Sequence, residues 1–527
     1  MNRISDITDL PHDVFLLIII HLSPSESILC RRVSRSWNAA FTSDDASWNL
    51  MRWHFPRARE MRNATGAIER PAWAHIFPDV ARRYFYLRAA RPRLIEKIDI
   101  GRGSSFRHVF QEVEPWEQFL RWNYNIASFR HPDLSWCLAD GLLIYRDPAH
   151  GVYVAYDLET GRRFSVPFNG AGKMVRRVRL AHSTLVFEWC EQNPYQALDD
   201  RESIHWHFAT AFDVRRPMAS GHADPRDSWE IRFRSEWKIH DRGLSLHGRG
   251  LEFDVHDRFF STHTATHYAL YLWREHGPSE DEGLTEQLTV WNIKDASSYR
   301  PSEDPSGAEA PDLTQPQPRV IKRFMADDLE FLGIRQGQTP MFREILLDEA
   351  NVYVHEEAHR WLVGQHARSS PPRNHWVRAT GIPLSGVGPR WFDDCCADGD
   401  IYMSFCPRAG SAARLGDGSD KHTGRIDGKW PGWAPCWRHE EFPYLTVSDV
   451  VDLHAGVRIV ARQCFVMEAL SSFVLPKISL RAESDYRHEA RFQDDMWKQL
   501  LEKGKIMGDE RWVVGKDHDG RINIVRF

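Results

Sequence analysis

The sequence lacks a hydrophobic run of membrane length. A spanning helix needs about twenty apolar residues, and the most prominent run, Val14 to Ile20, stops at His21. No secretory leader is read either. Asp6, Asp9 and Asp13 stand against a single Arg3, and no small-residue cleavage site follows. A strong charge balance is missing too: the formal net charge is -5, so no global field draws the chain to nucleic acid or membrane. The 8 cysteines have no regular spacing, which argues against a disulfide framework and fits free thiols in cytosol or nucleus. Motifs for chemistry are equally scarce. There is no phosphate loop, no nucleophile elbow and no two-histidine metal helix.

What is present starts with helix signals. Ser23-Pro24-Ser25-Glu26 is a capping box with proline at the first helical position. Ser34 can cap a second short helix, and Asp44 or Asp45 a third around Trp48. Helices at this density leave a strand at Val14 to Ile20 without a partner, so the run is read as a helix beginning near Pro11. By helical spacing Leu10, Val14, Leu17 and His21 share one side, and Phe15, Ile18 and Leu22 another. So small a cluster cannot bury both faces internally. The surplus face meets another protein or packs on the rest of this chain.

The stretch "LPHDVFLLIIIHLSPSESILCRRVSRSWNAAFTSDDASWNLM" resembles an F-box. The pattern is Leu-Pro-x-acidic, an apolar helix, a second helix entered by Leu or Ile, then Val-Ser-basic-x-Trp and a later Trp. It falls on Leu10, Pro11, Asp13, Val14, Ile18, Leu22, Ile28, Leu29, Cys30, Val33, Ser34, Arg35, Trp37 and Trp48. Asp13 replaces the more usual Glu. The resemblance covers about a tenth of the chain. It implies docking to the Skp-type adaptor of cullin–RING ubiquitin ligases. The expected binding residues are Leu10, Pro11, Ile18, Leu22, Ile28, Leu29, Val33 and Trp37. The surplus apolar face is then an adaptor surface.

The expected organisation is a three-helix all-α F-box at 5–52, a helical linker at 53–93 and an all-β domain at 94–527. The linker segment Trp73 to Lys97 mixes Arg82, Arg83, Arg88, Arg91 and Arg93 with Tyr84, Phe85 and Tyr86. Such a mixture can bind nucleic acid, but a solvated face over an aromatic core is the preferred reading. Beyond Leu94 the apolar period shortens towards two. "CLADGLLIY" from Cys137 and "CCADGDIYM" from Cys395 both place a turn before an apolar strand. Looser copies begin at Leu180, Ala265, Leu346, Asp452 and Met507. Several are followed by a second strand with a polar exit, such as "VYVAYDLETG" and "INIVRF". Recurrence at roughly 40–50 residues is the mark of a β-propeller. Seven copies favour seven blades within a range of six to eight. The wide interval between His182 and His267 can hold one enlarged blade or two. A propeller behind an F-box resembles architectures common in filamentous fungi.

Three segments read as loop insertions: 299–318, 368–390 and 408–433. "DDCCADGD" from Asp393 fails as a calcium loop, because Cys396 and Phe405 occupy positions that need oxygen ligands. Cys395, Cys396, Cys406, Cys436 and His439 lack the paired spacing of zinc sites. No metal or other cofactor is expected. The resulting expectation is a non-catalytic substrate receptor, with a propeller-face patch of exposed aromatics and arginines suited to an acidic or phosphorylated target segment. The rivals are an F-box scaffold acting outside ligases and a propeller enzyme with an accessory F-box.

Overall fold

The computed structural model describes residues 6–64, 72–100, 136–192, 202–216, 229–239, 257–275, 284–304, 317–337, 342–361, 373–386, 391–397, 444–452, 457–465, 476–484, 488–491, 506–517 and 519–527, with short pieces at 196–197, 244–247, 405–406, 434–435 and 455. It opens with six helices: α1 (His12–Ile19), α2 (Pro24–Cys30), α3 (Arg35–Phe41), α4 (Asp44–His54), α5 (Arg59–Ala64) and α6 (Trp73–Arg88). The first four fall where three helices were expected.

Local chemistry accounts for the boundaries. Ser23 Oγ accepts the Glu26 N–H at 3.2 Å, and Glu26 accepts the Ser23 N–H at 2.8 Å. That reciprocal pair occupies backbone donors that α2 leaves unpaired at its start. Ser34 accepts the Trp37 N–H and caps α3. Ser43, rather than either expected aspartate, caps α4 by accepting from the Ala46 N–H. Asp44 and Asp45 lie in its first turn, where negative charge favours the helix N-terminus.

Six four-stranded antiparallel sheets follow. Sheet I holds Cys137–Ala139, Leu142–Arg146, Tyr153–Asp157 and Arg163–Ser165. Sheet II holds Lys173–Ala181, Thr184–Glu191, His207–Arg215 and Glu230–Lys238. Sheet III holds Asp257–His263, His267–Glu275, Leu284–Asn292 and Arg319–Phe324. Helix α7 (Ala326–Phe331) comes next. Sheet IV holds Phe342–Leu347, Asn351–Trp361, Arg373–Pro383 and Trp391–Ala397. Sheet V holds Tyr444–Asp452, Val457–Phe465, Pro476–Ser484 and His488–Arg491. Sheet VI is built differently. Met507–Gly508, Trp512–Lys516 and Arg521–Arg526 come from the end of the chain, and the fourth strand is Leu94–Asp99. That strand pairs antiparallel with Arg521–Arg526 along its whole length.

The repeated motif has a definite place. In every one of the six sheets it is the turn joining the first two strands. In sheet I that turn is Asp140-Gly141, with φ of 50° and 85°. Two positive φ values in a two-residue turn suit the twist of a hairpin. A Cβ on Gly141 would also lie 2.9 Å from the Trp512 ring of sheet VI. The seventh copy behaves otherwise: Cys395 to Ala397 end the last strand of sheet IV, and its turn at 398–399 lies outside the described residues. The wide interval after His182 contains a single four-stranded sheet plus a small one of Gln196–Ala197, Glu202–His205 and Leu244–His247. The expected insertion at 368–390 is overturned in its middle. Arg373–Pro383 is a full strand paired along its length with Asn351–Trp361. The flanking prolines and glycines obscured the pattern there. Residues 305–316 and all of 408–433 lie outside the described residues.

Strand alternation lets a sheet pack on two neighbours, as sheets I, II, III and VI do among the described residues. In sheet II, Leu185, Phe187 and Trp189 join Leu142, Ile144 and Tyr153 of sheet I. Val186, between them in sequence, joins Tyr268 and Leu270 of sheet III. Tyr271 and Val290 of sheet III meet Phe342 and Val354 of sheet IV. Trp512 and Ile524 of sheet VI meet Leu143 and Tyr156 of sheet I. Val513 and Val525, on the other face of sheet VI, join Val457 and Ile459 of sheet V together with the helices. Burying one such large side chain stabilises by about 1.5–3 kcal/mol.

Candidate functional site

The helices have two differently built sides. One packs on the sheets. Phe55, Phe77, Val80, Tyr84 and Leu87 share a buried cluster with Val457, Val513 and Phe527. Within it sits a carboxylate, Glu510, in the first turn of sheet VI and fully buried. It accepts the Tyr84 hydroxyl and, at 3.1 Å, the Arg59 N–H. Arg83, buried in α6, lies 3.6 Å from Glu510 and donates two hydrogen bonds to Glu60, at 3.0 and 2.8 Å. Burial works against both charges of that pair. The hydrogen bonds and mutual attraction outweigh it, so Glu60 is held below its ordinary carboxylate range and Arg83 above its own. Tyr84 is pushed up, first by burial and then by the Glu510 charge. At the edge, Arg59 pairs with Asp140 at 2.5 Å and Arg62 with Asp452 at 3.8 Å. Asp140 and Glu510 lie in first-hairpin turns and Asp452 ends the strand that leads into one, so the helices sit at that end of sheets I, V and VI. The linker arginines are thus partly structural, with Arg83 turned inward.

The other side is apolar and open. Phe15 and Ile19, one turn apart, set the buried face of α1. This leaves Val14, Leu17 and Ile18 outside, with Leu17 63% exposed. Leu29 on α2 and Val33 just after it are 58% and 62% exposed. Five of the fourteen exposed large apolar residues among those described therefore fall between positions 14 and 33.

The eight expected adaptor residues divide accordingly. Pro11, Ile18, Leu29 and Val33 are exposed. Leu10 is half-buried at the start of α1. Leu22, Ile28 and Trp37 are half-buried and pack against the helical core. Trp37 is also tied in place: its ring stacks on Phe41 at 5.6 Å, and its Nε1–H donates to Asp6 Oδ1 at 2.7 Å. Val14 and Leu17 were absent from that expected set. Their signal was the i, i+4 pair Phe15 and Ile19, which fixes the inward phase of α1. Arg31 is drawn inward too. It donates to the Ala74 carbonyl and lies over the Phe77 ring, and burial lowers its pKa.

Several arginines among the described residues lie over aromatic rings, and one of these rings, Phe233 under Arg300 at 4.2 Å, is half-buried. Arg216 lies over Trp229 and Arg511 over Trp512, but both rings are buried. Each ring is core, and Arg216 and Arg511 both bind Glu159. Among the described residues, no group of three His, Cys, Asp or Glu side chains is placed to hold a metal, and no helix is long and apolar enough to cross a membrane.

No curated protein matches the chain. The F-box domain family matches residues 7–47, a span that runs from just before α1 into α4 and contains all five exposed apolar residues; the chain therefore carries an F-box domain, the kind of module that binds Skp-type adaptors in cullin–RING ligases.

Proposed function

We propose that the chain is a substrate receptor of a Skp–cullin–F-box ubiquitin ligase. The observation that carries this reading is the F-box match together with the exposed Val14, Leu17, Ile18, Leu29 and Val33 inside it. Apolar side chains gathered on a small helical module favour a partner that covers them. The adaptor contacts these five residues along with Pro11 and Leu10. Leu22, Ile28 and Trp37 act by shaping the helices that present them.

In the same reading the sheets are blades of a β-propeller. Support comes from the common entry hairpin, the packing of successive sheets, and the completion of sheet VI by Leu94–Asp99, which ties the first strand to the last. Seven blades remain the favoured number; between sheets IV and V the described residues Phe405–Cys406 pair with Ala434–Pro435. The helices occupy the end of the sheets that holds the first-hairpin turns. The opposite end, with the turns at 147–152 and 517–520, faces the target. The receptor works in cytosol or nucleus and catalyses nothing itself. It raises the effective concentration of a bound target near the ubiquitin-loaded enzyme.

The test is purification of the tagged full-length chain from cells with the proteasome blocked. Recovery of both adaptor and cullin supports a ligase subunit. Recovery of adaptor without cullin places the chain outside ligases, and recovery of neither overturns the reading.

A further inference from the structure

Charge is distributed unevenly along the helices. Positions 52–93 carry ten arginines, no lysine and three acidic residues, a local balance of +7 in a chain whose net charge is -5. The fold uses part of that excess. Arg59, Arg62 and Arg83 pair with Asp140, Asp452 and Glu60, and Arg82 lies 3.5 Å from Asp79. Arg52, Arg57, Arg88, Arg91 and Arg93 remain exposed, and among the described residues none of their guanidinium groups has a hydrogen bond or ion pair. Arg52 and Arg88 suit the last turns of α4 and α6, where positive charge favours the helix C-terminus. Arg57, Arg91 and Arg93 lie outside those helices and have no such role.

Large aromatic side chains stand among these cations. Trp53 is 59% exposed and Phe85 58%. They are two of the three aromatic residues among the exposed large apolar side chains described, the third being Phe331 on α7. Packing brings the two together. Phe55, just past α4, has its ring centroid 5.0 Å from that of Tyr84 on α6. Trp53 and Phe85 flank that buried contact in sequence and are turned outward. His54 and Arg88 are close as well. Burial lowers the pKa of His54, a hydrogen bond with the Leu22 backbone opposes this, and the Arg88 charge lowers it further. The C-terminal ends of α4 and α6 thus form one surface that is both basic and aromatic.

Exposed apolar residues rimmed by polar groups mark interaction sites, and Trp and Arg are the types that most often anchor protein interfaces. Arginine without lysine suits carboxylates, which the guanidinium grips through two N–H groups. A long nucleic acid fits less well. The adjoining stretch 6–51 holds six acidic residues against three arginines and repels a polyanion that extends across it. A short acidic segment meets only the basic ends.

We infer that the adjacent ends of α4 and α6 dock an acidic segment of a partner protein, with Arg52, Arg57 and Arg88 pairing with its carboxylates and Trp53 and Phe85 packing on an apolar side chain within it. None of these residues lies in the matched span 7–47, so the inference stands apart from adaptor docking.

The experiment measures binding of labelled probes to the full-length chain by fluorescence anisotropy. The probes are a polyglutamate peptide with one central phenylalanine, a serine–glycine peptide with the same phenylalanine, and oligouridylate. Wild type binds the polyglutamate peptide, and added sodium chloride weakens that binding. Arg52→Gln with Arg57→Gln weakens it about tenfold, and Trp53→Ala about thirtyfold. Phe331→Ala, which removes the exposed aromatic on α7, leaves it unchanged. The substituted side chains are exposed, so every variant keeps the wild-type melting temperature and loss of binding is not loss of fold. Absence of polyglutamate binding at concentrations on the order of 1 mM, equal binding by wild type and the arginine and tryptophan variants, or equal binding of the serine–glycine peptide overturns the inference. A loss in Phe331→Ala as large as that in Trp53→Ala does so too. Tighter binding of oligouridylate than of the polyglutamate peptide also overturns it, and makes the surface a nucleic-acid site.

Discussion

The two sides of the helical module use opposite chemistry. Towards the sheets it buries large apolar side chains around a sealed polar cluster of Glu510, Arg83, Glu60 and Tyr84. Away from them it leaves Leu17, Leu29 and Val33 open to water. A sealed carboxylate with several donors fixes one orientation, because any shift strands a charge in an apolar setting. Open apolar residues fix nothing by themselves and gain only when a partner covers them. The contrast separates a permanent joint from an exchangeable one.

The sharpest way to break the contrast is Glu510→Ala. It leaves the Tyr84 hydroxyl and the Arg59 N–H without their acceptor and removes one of the two carboxylates beside buried Arg83. A loss of about 3–5 kcal/mol in urea unfolding is expected. An effect below 1 kcal/mol would mean the joint is held by apolar packing alone. On the other side, Leu17→Ala or Leu29→Ala lowers adaptor affinity about thirtyfold, roughly 2 kcal/mol, with little change in stability. The pair Leu10→Ala with Pro11→Ala acts in the same direction. Leu22→Ala and Ile28→Ala do the reverse, lowering stability more than affinity, because those side chains pack into the helical core. Unchanged co-precipitation of the Leu17 and Leu29 variants with adaptor would remove the exchangeable surface from this site.

A pH series probes a joint between sheets. His263 is buried and its pKa is lowered, first by burial and then by Arg179. Its Nε2 contacts the Thr184 carbonyl at 3.0 Å. A folded-state pKa below the unfolded one means that the unfolded chain binds more protons below about pH 6.5. Stability therefore falls as pH drops through that point, by at most about 1.4 kcal/mol per pH unit for this group. His263→Gln, which retains a donor towards Thr184, flattens that slope. The smallest effect is expected from Arg59→Ala at the rim of the helix–sheet joint. Its partner Asp140 is more than half exposed, so loss of the pair costs about 0.5 kcal/mol or less in the same unfolding experiment.

Much of the helical module was legible because its signals are local. The Ser23–Glu26 capping box, the Ser34 cap and the run Val14–Ile20 each concern residues within one or two turns. The α4 cap was missed by one or two positions, since Ser43 and two aspartates compete and only backbone geometry chooses. The hairpin repeat was legible for the same local reason: a turn followed by alternating apolar residues. The strand at 373–383 was not, because Pro371, Pro372 and a later Pro and Gly suggested a loop while the pairing that makes it a strand lies with 351–361.

The sequence by itself determined the helical type of the N-terminal segment, the Ser23 and Ser34 caps, the F-box pattern and the recurring first hairpin, all of which depend on side chains within a few residues of one another. The tertiary structure confirmed which apolar face of α1 is buried: the Phe15 and Ile19 pair marks it in sequence, and α3 and α4 supply the wall, with Phe15 against Phe41. It alone brought Leu94–Asp99 onto Arg521–Arg526, and Glu510 under Tyr84 and Arg83. Those contacts join residues more than four hundred positions apart, and their free energy comes from pairing and desolvation that no local pattern encodes.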